Sequence, residues 1–164
     1  MLKKFLVSFL LLSLLFSFFA CTAERVYSHC EMVLPLTEDF EVIENSDFDV
    51  AYSNGTAAVA LLRISFSAAF IQGIPETFNT EEFGAFWLRQ CSRTAEITRY
   101  RTIAHCTYEE RSGGTDYYCL AAFYRTQYAY FVVICTVKST LKDEWNPKFL
   151  DYISGVYFVD YESK

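Results

Sequence analysis

The sequence predicts an α+β fold, in which an antiparallel β-sheet packs against helices, and three observations support this prediction. Segments between residues 30 and 138 are rich in Val, Tyr, Phe and Thr and are separated by short turns, as in neighbouring antiparallel strands. Segments 80–93 and 146–155 instead repeat apolar residues at helical spacing. Aromatic residues make up 18% of the chain, and Tyr and Phe favour half-buried sheet surfaces.

The first part of the domain contains the clearest hairpin. Residues 30–36 and 40–43 have the composition of short extended segments. Residues 48–52 alternate between apolar and more polar side chains, which predicts a strand with one solvated face. Asn54-Gly55 then supplies two residues that tolerate positive φ, so we expect a tight turn into an apolar strand over 57–66.

The clearest helix follows at 80–93. Asn79 and Glu82 have the spacing of a capping box, which predicts the start of this helix. The residues predicted to share one side of it are Phe83, Phe86, Trp87, Gln90 and Cys91. All of them except Gln90 are able to enter a core, so we expect this side to pack on the sheet.

The second half of the chain predicts more strands and a closing helix. Residues 96–111, 116–124 and 128–138 read as strands joined by short links, the first of which contains two glycines. Asn146-Pro147 is typical of a helix start, and Gly155 of a helix end. In this helix Phe149, Leu150 and Ile153 are the predicted inward residues.

This order of elements resembles PsbP-like domains, including exported bacterial lipoproteins of that architecture. The residues that carry the resemblance are Leu34-Pro35, the Asn54-Gly55 hairpin, the helix start at 80–83 and the terminal Phe-Leu-x-x-Ile-x-x-Val-x-Phe element at 149–158. The resemblance spans about residues 28–160. It implies a PsbP-like fold and a binding, assembly or accessory role, and it assigns a function to no individual residue.

The first 20 residues predict an export signal. Met-Leu-Lys-Lys is followed by an uncharged apolar stretch over residues 5–20, with Ala20 directly before Cys21. Ala20-Cys21 resembles a bacterial lipobox, so we expect Cys21 to be a lipid anchor that holds the domain at the cell membrane. Two alternatives remain: secretory cleavage after Ala23, which would release the protein, or a retained membrane anchor. The domain organisation is then a signal peptide at 1–20, a tether at 21–27 and one domain at 28–164.

The charge balance argues against nucleic-acid binding. Removal of the signal takes Lys3 and Lys4 with it and leaves 12 Lys and Arg against 20 Asp and Glu, a net charge of −8. An acidic domain without a basic cluster repels phosphate backbones. We therefore expect a protein or small-molecule ligand as the partner, in addition to the membrane itself.

The two histidines each precede a cysteine, in His29-Cys30 and His105-Cys106. These are zinc-ligand types, but adjacent side chains of a strand point to opposite faces, so we expect no metal site and no cofactor. Five cysteines remain after Cys21, and export permits disulfides. We predict a disulfide between Cys30 and Cys106, whereas Cys91, Cys119 and Cys135 fit as buried thiols.

Two classes of function follow from these residues. The favoured one is a non-catalytic, extracytoplasmic binding or accessory module, because no nucleophile elbow, phosphate loop or dinucleotide glycine pattern occurs in the sequence. We expect it to bind its partner through an aromatic sheet face or a cleft beside the helices. The alternative is a thiol-dependent enzyme or redox protein that pairs Cys30 with His105 or Cys106 with His29. A reactive thiol of low pKa would favour the second class.

Overall fold

The computed structural model describes residues 25–29, 32–44 and 47–159, and for residues 25–29 it describes the backbone only. The predicted signal peptide, Cys21 and Cys30 lie outside these ranges. In chain order the elements are β1 (Arg25–His29), β2 (Met32–Leu36), β3 (Glu41–Ile43), β4 (Val50–Ser53), β5 (Ala57–Ser65), α1 (Phe66–Ile71), α2 (Thr80–Gln90), β6 (Thr98–Tyr100), β7 (Ile103–Ser112), β8 (Thr115–Arg125), β9 (Ala129–Lys138), a 3₁₀ turn (Ser139–Leu141), α3 (Lys142–Ser154) and β10 (Tyr157–Phe158).

Two antiparallel sheets form the framework. The larger has seven strands in the order β3-β4-β5-β9-β8-β7-β6, and the smaller has the order β1-β2-β10. The predicted α+β class with an antiparallel sheet and packed helices is therefore confirmed. Strand β1 begins at Arg25, so residues 25–27 of the predicted tether belong to the small sheet.

The Asn54-Gly55 hairpin is confirmed in position, but of the two residues expected to tolerate positive φ only Gly55 adopts it. The Oδ1 atom of Asn54 accepts hydrogen bonds from the backbone N–H groups of Thr56 at 3.1 Å and Ala57 at 2.8 Å. Gly55 has φ of +80°, a conformation that costs glycine little. The Nδ2 group of Asn54 also donates to Oδ2 of Asp39 at 2.7 Å, which ties this turn to the loop after β2.

Two predicted strands differ from the structure. The strand expected over 57–66 ends at Ser65, whose side chain caps the unpredicted helix α1 by accepting from the N–H of Ala68 at 3.3 Å. The strand expected over 96–111 is divided into β6 and β7, because Arg101 adopts φ of +55° and turns the chain between them.

Helix α2 has the predicted capping box. The N–H of Glu82 donates to Oδ1 of Asn79 at 2.9 Å, and the N–H of Asn79 donates to Oε2 of Glu82 at 2.8 Å. Its buried residues are Phe83, Gly84, Trp87 and Leu88. The predicted face was therefore correct for Phe83 and Trp87, whereas Cys91 is exposed.

The close approach of α2 to the sheet explains why its buried side includes a glycine. A Cβ atom at Gly84 would lie 2.7 Å from Cδ2 of Phe123 and 2.8 Å from Cδ1 of Ile97. Both distances are shorter than carbon atoms tolerate. Only glycine fits here, so the helix rests directly on the Phe123 ring.

Helix α3 starts at Lys142, four residues before the predicted start, and ends before Gly155 as expected. Its buried residues are Trp145, Phe149, Tyr152 and Ile153. Pro147 therefore lies inside the helix rather than at its first turn. Among the residues that the structure describes, no helix is long and apolar enough to span a membrane.

The seven-stranded sheet separates two apolar layers. On one face the small sheet and α3 cover residues such as Val59, Leu120 and Phe131. On the other face α1 and α2 cover residues such as Phe123 and Val132. Strand alternation assigns neighbouring residues of β8 and β9 to opposite layers, and α2 covers only part of its layer.

Candidate functional site

An open cleft of about 600 Å³ lies on the α2 face of the large sheet. Strands β5, β7, β8 and β9 supply its floor, and the end of α2 with the segment after it supplies one wall. The lining residues are Asp47, Phe48, Leu62, Trp87, Cys91, Arg93, Tyr108, Glu110, Ser112, Tyr117, Cys119, Ile134 and Thr136. We call this the aromatic cleft, because Phe48, Trp87, Tyr108 and Tyr117 present rings to it.

The cleft exists because helix and strand lengths do not match. The 11 residues of α2 extend about 16 Å. The 10 and 11 residues of β7 and β8 extend about 33–37 Å. The strand segments that run beyond the helix keep one face uncovered, and this face is the floor of the aromatic cleft.

Arg93 is the main charged group at the cleft wall. Its guanidinium lies over the Tyr108 ring at 4.5 Å and within 5.7 Å of the Trp87 ring centroid. The Nη2 group also donates to Oε2 of Glu110 at 2.5 Å. Stacking and ion pairing together hold this arginine in one position, so the cleft has a fixed cation–carboxylate pair at its edge.

The thiols at the cleft are held in the protonated form. Burial raises the pKa of Cys119, although the Thr136 hydroxyl donates a hydrogen bond to its sulfur at 3.7 Å. Partial burial also raises the pKa of Cys91, and this effect outweighs the nearby Arg93 guanidinium. Burial likewise raises the pKa of the Tyr108 hydroxyl. These groups are therefore neutral near pH 7, and neutral thiols are weak nucleophiles.

Cys106 and His105 do not form a catalytic pair. They are consecutive residues of β7 and therefore point to opposite faces of the sheet. Cys106 is 1% exposed, and burial raises its pKa to about 11. The His105 ring lies near Thr98, with 3.4 Å between Nε2 and Oγ1, and burial lowers the pKa of this histidine.

The predicted Cys30–Cys106 disulfide stays a prediction, because Cys30 and the side chain of His29 lie outside the described residues. Met32, two residues after Cys30, belongs to the apolar layer under α3, whereas Cys106 belongs to the layer under α2. Among the described residues, Cys91, Cys106, Cys119 and Cys135 form no disulfide with one another. Within the described ranges, no group of three or more His, Cys, Asp and Glu side chains is placed to hold a metal ion.

Two further cavities border the same framework. One of about 310 Å³ lies between β5, α1 and α2 and shares Leu62, Trp87 and Cys91 with the aromatic cleft. The other, of about 540 Å³, lies near α3 on the opposite side and is lined by residues that include Lys148, Asp151 and Tyr157. The aromatic cleft and its smaller neighbour therefore form one groove with Trp87 between them.

Sequence reasoning predicted binding at an aromatic sheet face or a cleft beside the helices, but it named none of the residues of the aromatic cleft as belonging to that site. Its lining comes from five elements and the loops beside them, which are distant in sequence, and no local motif marks it. The one usable signal was the high tyrosine content, which is equally typical of ordinary sheet surfaces.

Comparison with solved structures identifies the fold. The solution structure of cyanobacterial PsbP (CyanoP) from Synechocystis sp. PCC 6803 matches with a TM-score of 0.59 at 10% sequence identity, over 86% of this chain and 95% of that one. The fold is PsbP-like. A crystal structure from Bacteroides thetaiotaomicron VPI-5482 matches with a TM-score of 0.54 at 12% identity, over 86% of this chain.

The coverage and sequence identity of these matches determine what they show about this chain. The chain spans half the length of the Bacteroides protein and nearly all of CyanoP. No protein-family model matches the sequence, and no curated protein matches it. At 10–12% identity the two structures establish the PsbP-like fold of this chain and leave its function open.

Proposed function

We propose that this protein is a non-catalytic, extracytoplasmic binding or accessory module, held at the cell membrane by a lipid on Cys21. Its ligand has an apolar or aromatic body and occupies the aromatic cleft. The observation that carries this proposal is the cleft itself, a cavity of about 600 Å³ with aromatic walls and one fixed Arg93–Glu110 pair.

The size and lining of the cleft support a binding role. Pockets for small ligands are typically about 300–1,000 Å³ and combine apolar walls with a few placed polar groups. Phe48 and Tyr117 offer partly exposed rings to such a ligand, whereas Tyr108 is covered by Arg93 and Trp87 is 7% exposed. Arg93 donates to Glu110 with one nitrogen, and a guanidinium has further N–H groups for a ligand oxygen.

The raised thiol pKa values support the non-catalytic class over the thiol-dependent one. A catalytic cysteine needs a lowered pKa and a base within hydrogen-bond reach. Burial raises the pKa of Cys106 to about 11, and the neighbouring His105 faces the other side of the sheet. No observation within the described residues favours the enzyme hypothesis, so we do not propose it as a second function.

Recovery of a bound ligand tests the binding proposal. The protein is purified from the cell envelope without denaturation, and native mass spectrometry measures any excess mass over the polypeptide and its lipid. We expect an excess mass that Tyr117→Ala reduces at least fivefold and that Tyr100→Ala leaves unchanged. Tyr100 is a matched control, because it is also half-buried but lies on β6, away from the cleft.

A contrary result is equally clear. An excess mass that both tyrosine variants retain would show that the ligand lies elsewhere. Proteolysis or hydrolysis by the wild type, abolished by Cys106→Ser and retained by Tyr117→Ala, would favour the thiol-dependent alternative.

Metabolic labelling tests the membrane anchor. Cells that express the full chain are fed an alkyne fatty acid, and the purified protein is examined for the label. We expect label on the wild type and none on Cys21→Ser, because only an acylated Cys21 provides lipid chains at the mature terminus. Equal absence of label in both proteins would refute the lipid anchor and favour cleavage after Ala23.

A further inference from the structure

The two most exposed large apolar side chains of the described residues lie next to each other at one end of the large sheet. Phe70 is 77% exposed and Ile71 is 85% exposed, and both belong to α1. Tyr128, which is 58% exposed, lies in the β8–β9 turn at the same end of the sheet, where its carbonyl accepts a hydrogen bond from the N–H of Phe66 at the start of α1. We call Phe70, Ile71 and Tyr128 the apolar knuckle.

The packing of α1 explains why these side chains project outward. The helix buries Ala69 and lays Phe66 against Tyr130, with the ring centroids 5.1 Å apart. A helix turns about 100° per residue. Ile71 therefore lies on the side of α1 away from the sheet, whereas Phe70, one turn after Phe66, is exposed at the end of this short helix. Neither side chain lines the cavities described above.

The size of the apolar knuckle argues against a stable protein interface. An aromatic side chain can bury about 150–250 Å², so three side chains this exposed offer on the order of 400 Å². A standard protein–protein interface takes about 800 Å² from each partner. A projecting apolar tip of this size instead suits a deformable surface, which surrounds it without needing a preformed pocket.

The polar groups at the edge of the apolar knuckle fit the headgroup region of a lipid bilayer. Tyrosine is typical of membrane–water interfaces. The Arg125 guanidinium lies over the Phe66 ring at 5.2 Å and donates to the Glu76 carbonyl at 2.8 Å. An arginine that keeps its apolar stem against a ring and its charged end at the surface is the arrangement expected where protein meets headgroups.

We propose that the apolar knuckle inserts into the interfacial region of a lipid bilayer as a second membrane contact. This inference rests on the proposed lipid anchor for the first contact. The Asn54–Asp39 hydrogen bond places the end of β2 at the β4–β5 turn, and Arg25 pairs with Leu36 at that same end. The apolar knuckle lies at the other end of β5.

Two contacts at opposite ends define an orientation. The nine residues of β5 separate the two ends by about 27–30 Å. Four residues lead from Cys21 to Arg25, and four extended residues span at most about 14 Å. Both contacts are therefore reached when the strands lie along the membrane plane, whereas an upright domain would reach only one.

Fluorescence from a tryptophan in the apolar knuckle tests this inference. The full chain is reconstituted into phosphatidylcholine vesicles, floated, and compared with and without bromine-labelled acyl chains. Native Trp87 and Trp145 are 7% and 6% exposed, so their emission is a subtractable background. The test variant is Ile71→Trp, and the matched control is Glu96→Trp, at an exposed position in the loop before β6.

We expect the added emission of Ile71→Trp to shift to the blue and to lose at least half its intensity with brominated lipid. That of Glu96→Trp should stay water-like and unquenched. Floated protein in which Ile71→Trp is also unquenched would overturn the inference and leave the lipid anchor standing. Failure of the wild type to float would overturn both the lipid anchor and the second membrane contact. Contact of the apolar knuckle with an envelope protein instead of lipid would overturn the second contact and leave the lipid anchor standing.

Discussion

The replacement Trp87→Ala is the sharpest test of how α2 packs. Trp87 is 7% exposed and meets the Phe123 ring edge-to-face at 5.7 Å, and the Arg93 guanidinium stacks on its other side. Truncation of a buried aromatic residue to alanine costs about 3–5 kcal/mol in unfolding free energy. Because Trp87 borders a solvent-open cleft, water fills part of the space, and we expect a loss near the lower limit, about 3 kcal/mol.

Chemical denaturation followed by far-UV circular dichroism measures this loss. For a domain of this size about 3 kcal/mol corresponds to a fall in melting temperature of roughly 6–12 °C. The control is Arg89→Ala, in the last turn of the same helix, where the exposed guanidinium lies 5.9 Å from the Phe86 ring. We expect this variant to lose less than about 1 kcal/mol.

The comparison has a clear refuting result. Similar small losses for Trp87→Ala and Arg89→Ala would show that Trp87 is not an anchor of α2. The position of the helix over Phe123, and with it the wall of the aromatic cleft, would then be wrong.

Three further predictions concern local chemistry. Asn79→Ala removes the α2 capping box and should lower the unfolding free energy by about 1 kcal/mol in the same melts, and no change would refute the capping role. Burial raises the pKa of Cys106 from 9.0 to about 11. Because the folded pKa exceeds the unfolded one, the unfolding free energy should fall above about pH 9, by up to about 1.4 kcal/mol per pH unit. The fall should be less steep in Cys106→Ala. Non-reducing peptide mapping decides between this titrating thiol and the Cys30–Cys106 disulfide predicted from the sequence: a joined Cys30–Cys106 peptide would refute the pH prediction, and alkylation of both residues as free thiols would exclude the disulfide.

Elements with a local chemical signal could be predicted from the sequence. The Asn54-Gly55 turn and the Asn79–Glu82 capping box depend on side chains that bond to their own backbone, so four to six residues are enough to specify them. The turn between β7 and β8 is also specified locally, because Gly113 and Gly114 both have positive φ, which glycine adopts readily.

The elements that differ from prediction depend on distant contacts. Residues 66–71 form a short apolar run, and composition alone does not separate a buried strand from a helix in such a run. The turn between β6 and β7 depends on a positive φ at Arg101. Residues other than glycine rarely adopt this conformation, so an arginine in the sequence does not predict the turn. Helix α1 also begins at a contact with a distant residue, because the N–H of Phe66 donates to the carbonyl of Tyr128.

The composition of the α2 face supports a recognition role for its uncovered part. Under the helices, β8 and β9 present Ala121, Phe123 and Val132, which are fully buried. Further along the same strands, where α2 ends, the residues become Tyr117, Cys119 and Thr136. Tyrosine and threonine tolerate water and still offer apolar contact area.

This change in composition along β8 and β9 supports a binding role for the uncovered floor of the aromatic cleft. An uncovered floor of Val and Leu would need a permanent protein cover to avoid aggregation. Apart from Leu62 and Ile134, the strand residues of this floor are polar, tyrosine or cysteine side chains. Such a floor costs less to leave empty and still gains from a ligand that displaces water. The Arg93–Glu110 pair then adds polar groups whose positions are already fixed by Tyr108 and Trp87, so little side-chain freedom is lost when a ligand binds.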